Sequence, residues 1–474
     1  MRTLTCRLLA FVLLYAASLG AARATHLFAA ELTYEYAGTG TAPFQYRVIA
    51  RYSSNSTQNA IPPPTQVQLT CNPNGCTVGT STQYVQLMRI SPVAPVVLSC
   101  MPTTNTYNDV LLEGLVNLPP ANWRLSIELA PRSPSTVNLP PTATNGTVVL
   151  AELNNLVASV NSSPRFTATR QVWLPGLQPQ HYSFNAFDPD GDSLSYELMQ
   201  PLLNNATAEI CGTPSTGALA PYFQLNPATG ELQPTAGTIQ QGGYVMAGRV
   251  NEFRRINGAW LRIGSVWRDD LYYLIASANQ VPIFTNVTLG GSPRLGQTIR
   301  AVAGQAVELQ ISAADPDAGQ TVTLSSGAVG IVPGLSLQPQ SGGQGLLRWQ
   351  VPATLPAGRY TFTVTGVDDA CPSTSHSVLT LTFMVTQPLA TRARQALAQA
   401  PWPNPFQEVI EFQLAGQGAQ PVLVADATGR TVVRLTSAPD GRVRWQPAPG
   451  VVPGLYFART VDGRQMARLA YSGQ

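Results

Sequence analysis

A period of two is the feature that most restricts how this chain can fold. Tyr360, Phe362 and Val364 alternate with Thr361, Thr363 and Thr365, and Leu379, Leu381, Phe383 and Val385 are spaced in the same way. A strand sends successive side chains to opposite faces, so this spacing suits a half-buried strand and no helix. Similar short runs occupy residues 31–36 and 44–50. Between the runs stand turn formers: the chain has 39 Gly and 40 Pro, while charged residues make up only 11%, against about 25% in an ordinary globular domain. The expected fold is therefore all-β, a row of β-sandwich modules joined by short links. With 474 residues there is room for about three or four such cores. One short helix-like piece, rich in Ala, Gln and Arg, lies at 391–400.

Charge removes some functions. All 28 basic residues are Arg, three of them (Arg2, Arg7, Arg23) within the first 24 residues, and the remaining 25 balance 25 acidic residues. A net charge near zero provides no general field for nucleic acid or an anionic membrane.

Residues 1–24 read as a secretory signal: Arg2 and Arg7, an apolar run over 8–19, then Ala22-Arg23-Ala24 as a small-x-small cleavage site. The run is shorter than the roughly 20 residues of a spanning helix, and no later segment is apolar enough to span. Export permits disulfides among Cys71, Cys76, Cys100, Cys211 and Cys371. Five is odd, so one thiol is left over or pairs between chains. Cys71 and Cys76, with Asn-Pro-Asn-Gly between them, could close a small loop, or Cys100 could take either as its partner.

The expected modules are 25–160, 161–281 and 282–388, a linker at 389–400 and a last β-domain at 401–474. Asn161-Ser162-Ser163-Pro164 opens the second module and Asn279-Gln280-Val281-Pro282 echoes it at the third, each an extended link before proline. Residues 223–232, punctuated by Asn226-Pro227 and Thr229-Gly230, read as strand–turn–strand.

Chemistry concentrates at Asp188-Pro189-Asp190-Gly191-Asp192, with a weaker copy at Asp315-Pro316-Asp317, 127 residues on. Three carboxylates on one turn suit calcium, which takes 6–8 oxygens at about 2.3–2.6 Å. Glu252 and Asp269 or Asp270 are candidate further ligands, and Asp368 and Asp369 are candidates beside Asp315 and Asp317. The competing reading is a turn whose carboxylates only bind nearby backbone N–H groups. Neither turn is an EF-hand, since no helices flank it and no Glu stands at the twelfth position. Arg254, Arg255, Arg262 and Arg268 are expected to pair with these acids. His26, His181 and His376 fall in separate modules, and no metalloprotease, nucleophile-elbow or phosphate-loop motif is present. Cys211 reads as a disulfide or buried thiol rather than a nucleophile. Trp123, Trp173, Trp260 and Trp267 could make a sugar platform, though core packing is the commoner use of such residues.

Three stretches resemble known families. Pro403-Asn404-Pro405-Phe406, Asp426 with Gly429-Arg430, and Gly454 with Tyr456 resemble the C-terminal sorting domain of Bacteroidota type IX secretion cargo. That resemblance implies a small β-sandwich recognised by the type IX machinery, and a protein released or anchored at the outer surface of the outer membrane. The Asn161 linker, the Asp188 turn and residues 223–232 resemble cadherin-like repeats, which implies a calcium-bearing joint. The Asp-x-Asn-Asp linker of cadherins is missing, so one ion fits better than three. Residues 282–388 resemble immunoglobulin-like and polycystic-kidney-disease-like surface repeats, through Asp315-Pro316-Asp317, Val367-Asp368-Asp369 and 358–364. Residues 25 to about 200 resemble Bacteroidota proteins labelled gliding-motility-associated, on His26, 31–34, 151–155 and 161–164.

The expectation is a non-enzymatic, calcium-stabilised surface or adhesion protein with an unidentified protein or polysaccharide ligand. The alternative is a carbohydrate-binding protein or a glycan hydrolase, which would need two acids about 5–9.5 Å apart in a cleft.

Overall fold

The computed structural model describes residues 27–56, 62–73, 81–93, 95–96, 107–132, 136–140, 146–169, 173–175, 182–204, 215–235, 240–371, 374–388, 395–416 and 418–473. Among them every regular element is a strand, and no helix is long and apolar enough to cross a membrane. The chain forms two compact units, one up to Gln387 and one from Pro388.

The first unit departs from the expected boundary at 160. Seven strands between Leu27 and Asn154 pair in a row, from Leu27–Tyr36 at one end to Gly146–Asn154 at the other. The eighth place is taken by Ala259–Ile275, which begins 105 residues after Asn154. It pairs with the first strand through Ala29↔Asp270 and Glu31↔Arg268, and with the last through Gly264↔Leu153 and Val266↔Ala151. The eight strands thus form a closed circuit, which leaves no open edge between its ends. The circuit's inward residues (Tyr34, Tyr46, Leu125, Leu153) share one core with Phe184, Tyr196, Val250 and Tyr272 of 161–281. The described parts of 25–160 and 161–281 therefore share one sheet and one core, against the two separate sandwiches that composition suggests.

The closing strand belongs to a long hairpin, Gly242–Ile256 with Ala259–Ile275, turned at Asn257-Gly258, where both residues have positive φ. Its other strand pairs with Ser193–Met199, directly after the Asp-rich turn. The expected strand–turn–strand at 223–232 is present, with Phe223–Leu225 against Glu231–Pro234.

Residues 282–387 have their own core. One sheet holds Ile283–Leu289, Ala306–Ala314, Gln344–Gln350 and Leu335–Gln340; the other holds Thr298–Val302, His376–Thr386, Gly358–Val367 and Thr323–Ser325. The alternating residues that signalled strands fill the space between the sheets. Phe362 stacks on Phe383 at 4.7 Å, and the Trp349 ring meets Phe383 edge-on at 5.0 Å. Phe187, from the Asp-rich turn's own strand, joins this core and lies 5.8 Å from Tyr360. The Asp turn is thus fixed where the two bodies of the first unit meet.

The second unit is a small two-sheet sandwich around Phe406, Phe412, Trp445, Tyr456 and Leu469. Within the expected helix-like piece at 391–400, residues 395–398 carry no helix and Gln399–Trp402 is a strand. A ten-residue helix cannot offset its nucleation cost, and Pro401 and Pro403 forbid its extension. The motif residues of this unit have structural work. Asn404 donates to the carbonyl of Arg468 and accepts from the Ala470 N–H, Asp426 accepts from the Thr428 and Arg430 N–H groups, and Gly429 has φ of 89°. Gly454 opens the strand on which Tyr456 enters the core, while Pro403 and Pro405 are exposed.

Candidate metal site

Asp188 directly follows the short strand Ala186–Phe187 that carries Phe187 into the neighbouring core, and Gly191 provides the positive φ of 82° that reverses the chain after Asp190. One oxygen of Asp188 accepts the N–H groups of Asp190 and Asp192, both at 2.9 Å, the local bonding expected of such a turn. The turn alone does not complete the site. Glu252, opposite Leu194 on the long hairpin, brings a fourth carboxylate, and ligand oxygens of Asp188, Asp192 and Glu252 lie within 4.8 Å of one another.

Space for Glu252 comes from Gly264, its cross-strand partner: a Cβ there would stand 2.6 Å from Glu252 Oε2 and 2.4 Å from the Tyr34 hydroxyl. Asn161 ties the group to the first link. Its amide nitrogen donates to Glu252 Oε2 at 2.9 Å, and its oxygen accepts from Arg254 at 2.7 Å. Arg254 also grips Asp192 through two bonds of 2.8 and 2.5 Å, while Asp190 accepts the Ser162 N–H at 2.7 Å.

Electrostatically the site is under-compensated. Asp188 is 2% exposed and Glu252 fully buried, yet Asp188 Oδ2 and Glu252 Oε1 have no hydrogen-bond partner. Burial, with Asp192 and Asp190 adding repulsion, pushes Asp188 up to about 7 against the pull of the Asp192 N–H. Burial and then Asp188 push Glu252 well above the usual carboxylate range. Burial also raises Asp190, against the Ser162 N–H and Arg254. Buried charges without partners are costly, so such a group calls for a proton or a cation. Two oxygens on one calcium can be at most about twice 2.4 Å apart, and this group meets that limit. The residues present fit calcium.

The second copy is built alike and bonded differently. Asn279 repeats Asn161, donating to Asp368 Oδ2 and Ser375 Oγ at 2.8 Å each, and the Gln280 N–H repeats that of Ser162 on Asp317. Here the carboxylates are bonded to protein. Gln280 holds both oxygens of Asp317, Thr321 both of Asp369, and Asp368 takes the Ser375 and Ala370 N–H groups as well. Asp315 keeps one buried unpartnered oxygen and is raised by burial first and then by Asp368. Among the described residues only Asp188, Asp192 and Glu252 gather three ligand atoms, so Asp315, Asp317, Asp368 and Asp369 do not.

Asp269 and Asp270 serve the core instead. Asp269 is paired with Arg132 and Asp270 with Arg268, at 2.5 and 2.9 Å, and Tyr182 donates to Asp270 at 2.6 Å. Arg254 and Arg268 pair with the expected acids; Arg262 pairs with Glu152 and Arg255 donates to the carbonyl of Gly258. Asn161, which the sequence presents as part of a link, also orients Glu252, and the repeated Asn at 279 is the sequence signal for it.

The remaining candidates are dispersed. Cys71 is a buried free thiol, pushed up to about 12 by burial, so the small Cys71–Cys76 loop is not formed. Cys371 is disulfide-bonded, while Cys76, Cys100, Cys211, His26 and His181 lie outside the described residues. Burial lowers His376 to about 4. Its unfolded value is about 6.5, so its share of stability is complete above that pH and drains away towards pH 4, by about 3 kcal/mol in all. Urea unfolding from pH 7 to 4.5 should show this loss, and His376→Phe should lack it. Trp123 and Trp267 are buried, whereas Trp260 is 60% exposed.

No curated protein sequence matches this chain. Solved structures that resemble it include a three-domain fragment of titin, I67–I69, at 9% identity (TM-score 0.19), covering 66% of this chain and 98% of the fragment. Another is protocadherin gamma B2 cadherin domains 3–6, at 14% identity (TM-score 0.19), covering 65% of this chain and 73% of that one. A protein of unknown function from Porphyromonas gingivalis W83 matches at 11% identity (TM-score 0.17), covering 40% of this chain and all of that one. One family model matches, described as "Putative Ig domain", and it covers residues 294–386, the two-sheet module built around Trp349.

Proposed function

We propose that this chain is an exported surface protein of adhesion type that acts by presenting linked β-modules rather than by catalysis. One calcium ion would lock its first link. The ion would be held by Asp188, Asp192 and Glu252, with Asp190 beside them and Asn161 orienting Glu252. The second link keeps its hydrogen-bonded form. The single observation that carries this reading is the buried carboxylate group with two unpartnered oxygens, set where three chain segments converge. The signal-like start and the sorting-domain motifs of 401–474 support delivery to the cell surface by type IX secretion.

The test is thermal unfolding of the whole mature chain in chelator and then in millimolar calcium. A ligand at 100 times its dissociation constant adds about 2.7 kcal/mol to the folded state, so the midpoint should rise by several degrees. Glu252→Gln should abolish the rise while Asp315→Asn leaves it intact. An unchanged midpoint at every calcium concentration would remove the ion from the account.

A further inference from the structure

A cavity of about 180 Å³ opens beside the carboxylate group. Asp188, Asp192, Ser193, Trp260, Arg359 and Tyr360 are among its lining residues. Trp260 sits two residues past the Asn257-Gly258 turn, on a paired strand opposite Arg255. Its indole is 60% exposed, though Trp123 and Trp267 are buried and the same hairpin buries most of its apolar residues. A lone exposed aromatic needs no explanation by itself, but here it lines a cavity of mixed apolar and polar character, the setting in which small ligands are held.

The carboxylates leave coordination to be completed. One Asp188 oxygen already accepts two N–H groups, and both oxygens of Asp192 accept from Arg254. Calcium takes 6–8 oxygens, so several must come from outside these side chains. The cavity adjoins both aspartates and is where they would enter. Water could supply them, and so could adjacent hydroxyls of a sugar. A sugar ring also has an apolar C–H face suited to the electron-rich face of an indole. Arg359, which donates to the carbonyl of Ala228, also lines the cavity and adds a cation to its lining.

We propose that this cavity binds a single saccharide unit, stacked on Trp260 and bonded through hydroxyls to the cation. The inference rests on the calcium reading above. It extends that reading from a structural ion to one that recognises a glycan end.

The probes are the methyl glycosides of glucose, galactose and mannose and the matching uronic acids, titrated into the whole mature chain by calorimetry. At least one should bind in millimolar calcium, lose binding in chelator, and bind at least 10-fold more weakly to Trp260→Ala. That variant should keep the calcium-induced rise in unfolding midpoint, because its side chain stands mostly in water. A calcium-induced rise with no saccharide bound would overturn the cavity's role and leave the structural ion standing. Binding that survives chelation or the Trp260→Ala change would also overturn it. Absence of any calcium effect would overturn both readings together.

Discussion

Expressed alone, residues 25–160 are expected to show no cooperative unfolding transition, whereas residues 282–387 expressed alone should show one. The first fragment lacks Ala259–Ile275, so Leu27–Tyr36 and Gly146–Asn154 lose their shared neighbour and become open edges. It also loses the part of its core that Phe184, Val250, Val266 and Tyr272 provide. The second fragment retains both sheets and the Trp349, Phe362 and Phe383 cluster, and gives up the Phe187 contact and the hydrogen bonds with Asn185, Ala228, Asn279 and Gln280 at its border. Circular dichroism melts and hydrogen exchange would separate the two cases. A sharp transition from 25–160 would show that the closing strand is dispensable. Adding 161–281 to the first fragment should restore cooperativity.

Arg132→Ala should destabilise the first unit by about 3–5 kcal/mol, the usual cost of stranding a buried charge. Arg132 is 3% exposed, and its guanidinium donates to Asp269 at 3.1 and 2.5 Å and to the carbonyl of Leu202 at 3.2 Å. The pair links the first strand group to the long hairpin, so its loss should appear in the same transition that calcium raises. Replacing both partners, Arg132→Met with Asp269→Leu, should recover most of the loss, since two buried charges and their desolvation disappear together. A single substitution with no measurable effect in urea would mean that Asp269 is adequately solvated without Arg132.

Local pattern made much of this fold legible. The alternation at 360–364 and 379–385 became paired strands, and Asn226-Pro227 and Thr229-Gly230 became the turn they suggest. What local pattern cannot convey is which strand closes which sheet. The 259–275 strand reads as part of the second module because its neighbours in sequence are there, yet its pairing is settled by an edge that ends at Asn154, 105 residues earlier. The site divides along the same line. Asp188, Asp190 and Asp192 are adjacent in the chain and were visible as a unit. Glu252 is remote in sequence, a candidate ligand on the same footing as Asp269 and Asp270. Nothing in the residue types separated the acid facing Asp188 from those facing Arg132 and Arg268. In the second copy Gln280 and Thr321 bond Asp317 and Asp369 separately, and the four acids do not gather three ligand atoms as Asp188, Asp192 and Glu252 do.

The doubly used hairpin also restricts how such a chain can be recombined. In a row of independent modules any link is a safe place to insert, delete or exchange a piece. Here a crossover near residue 160 would part the first seven strands from the eighth, and neither product would inherit a whole core. Workable exchange points fall near 282 and 388, so residues 27–281 would pass between genes only as one block, and the 282–387 module is the part free to be duplicated or replaced.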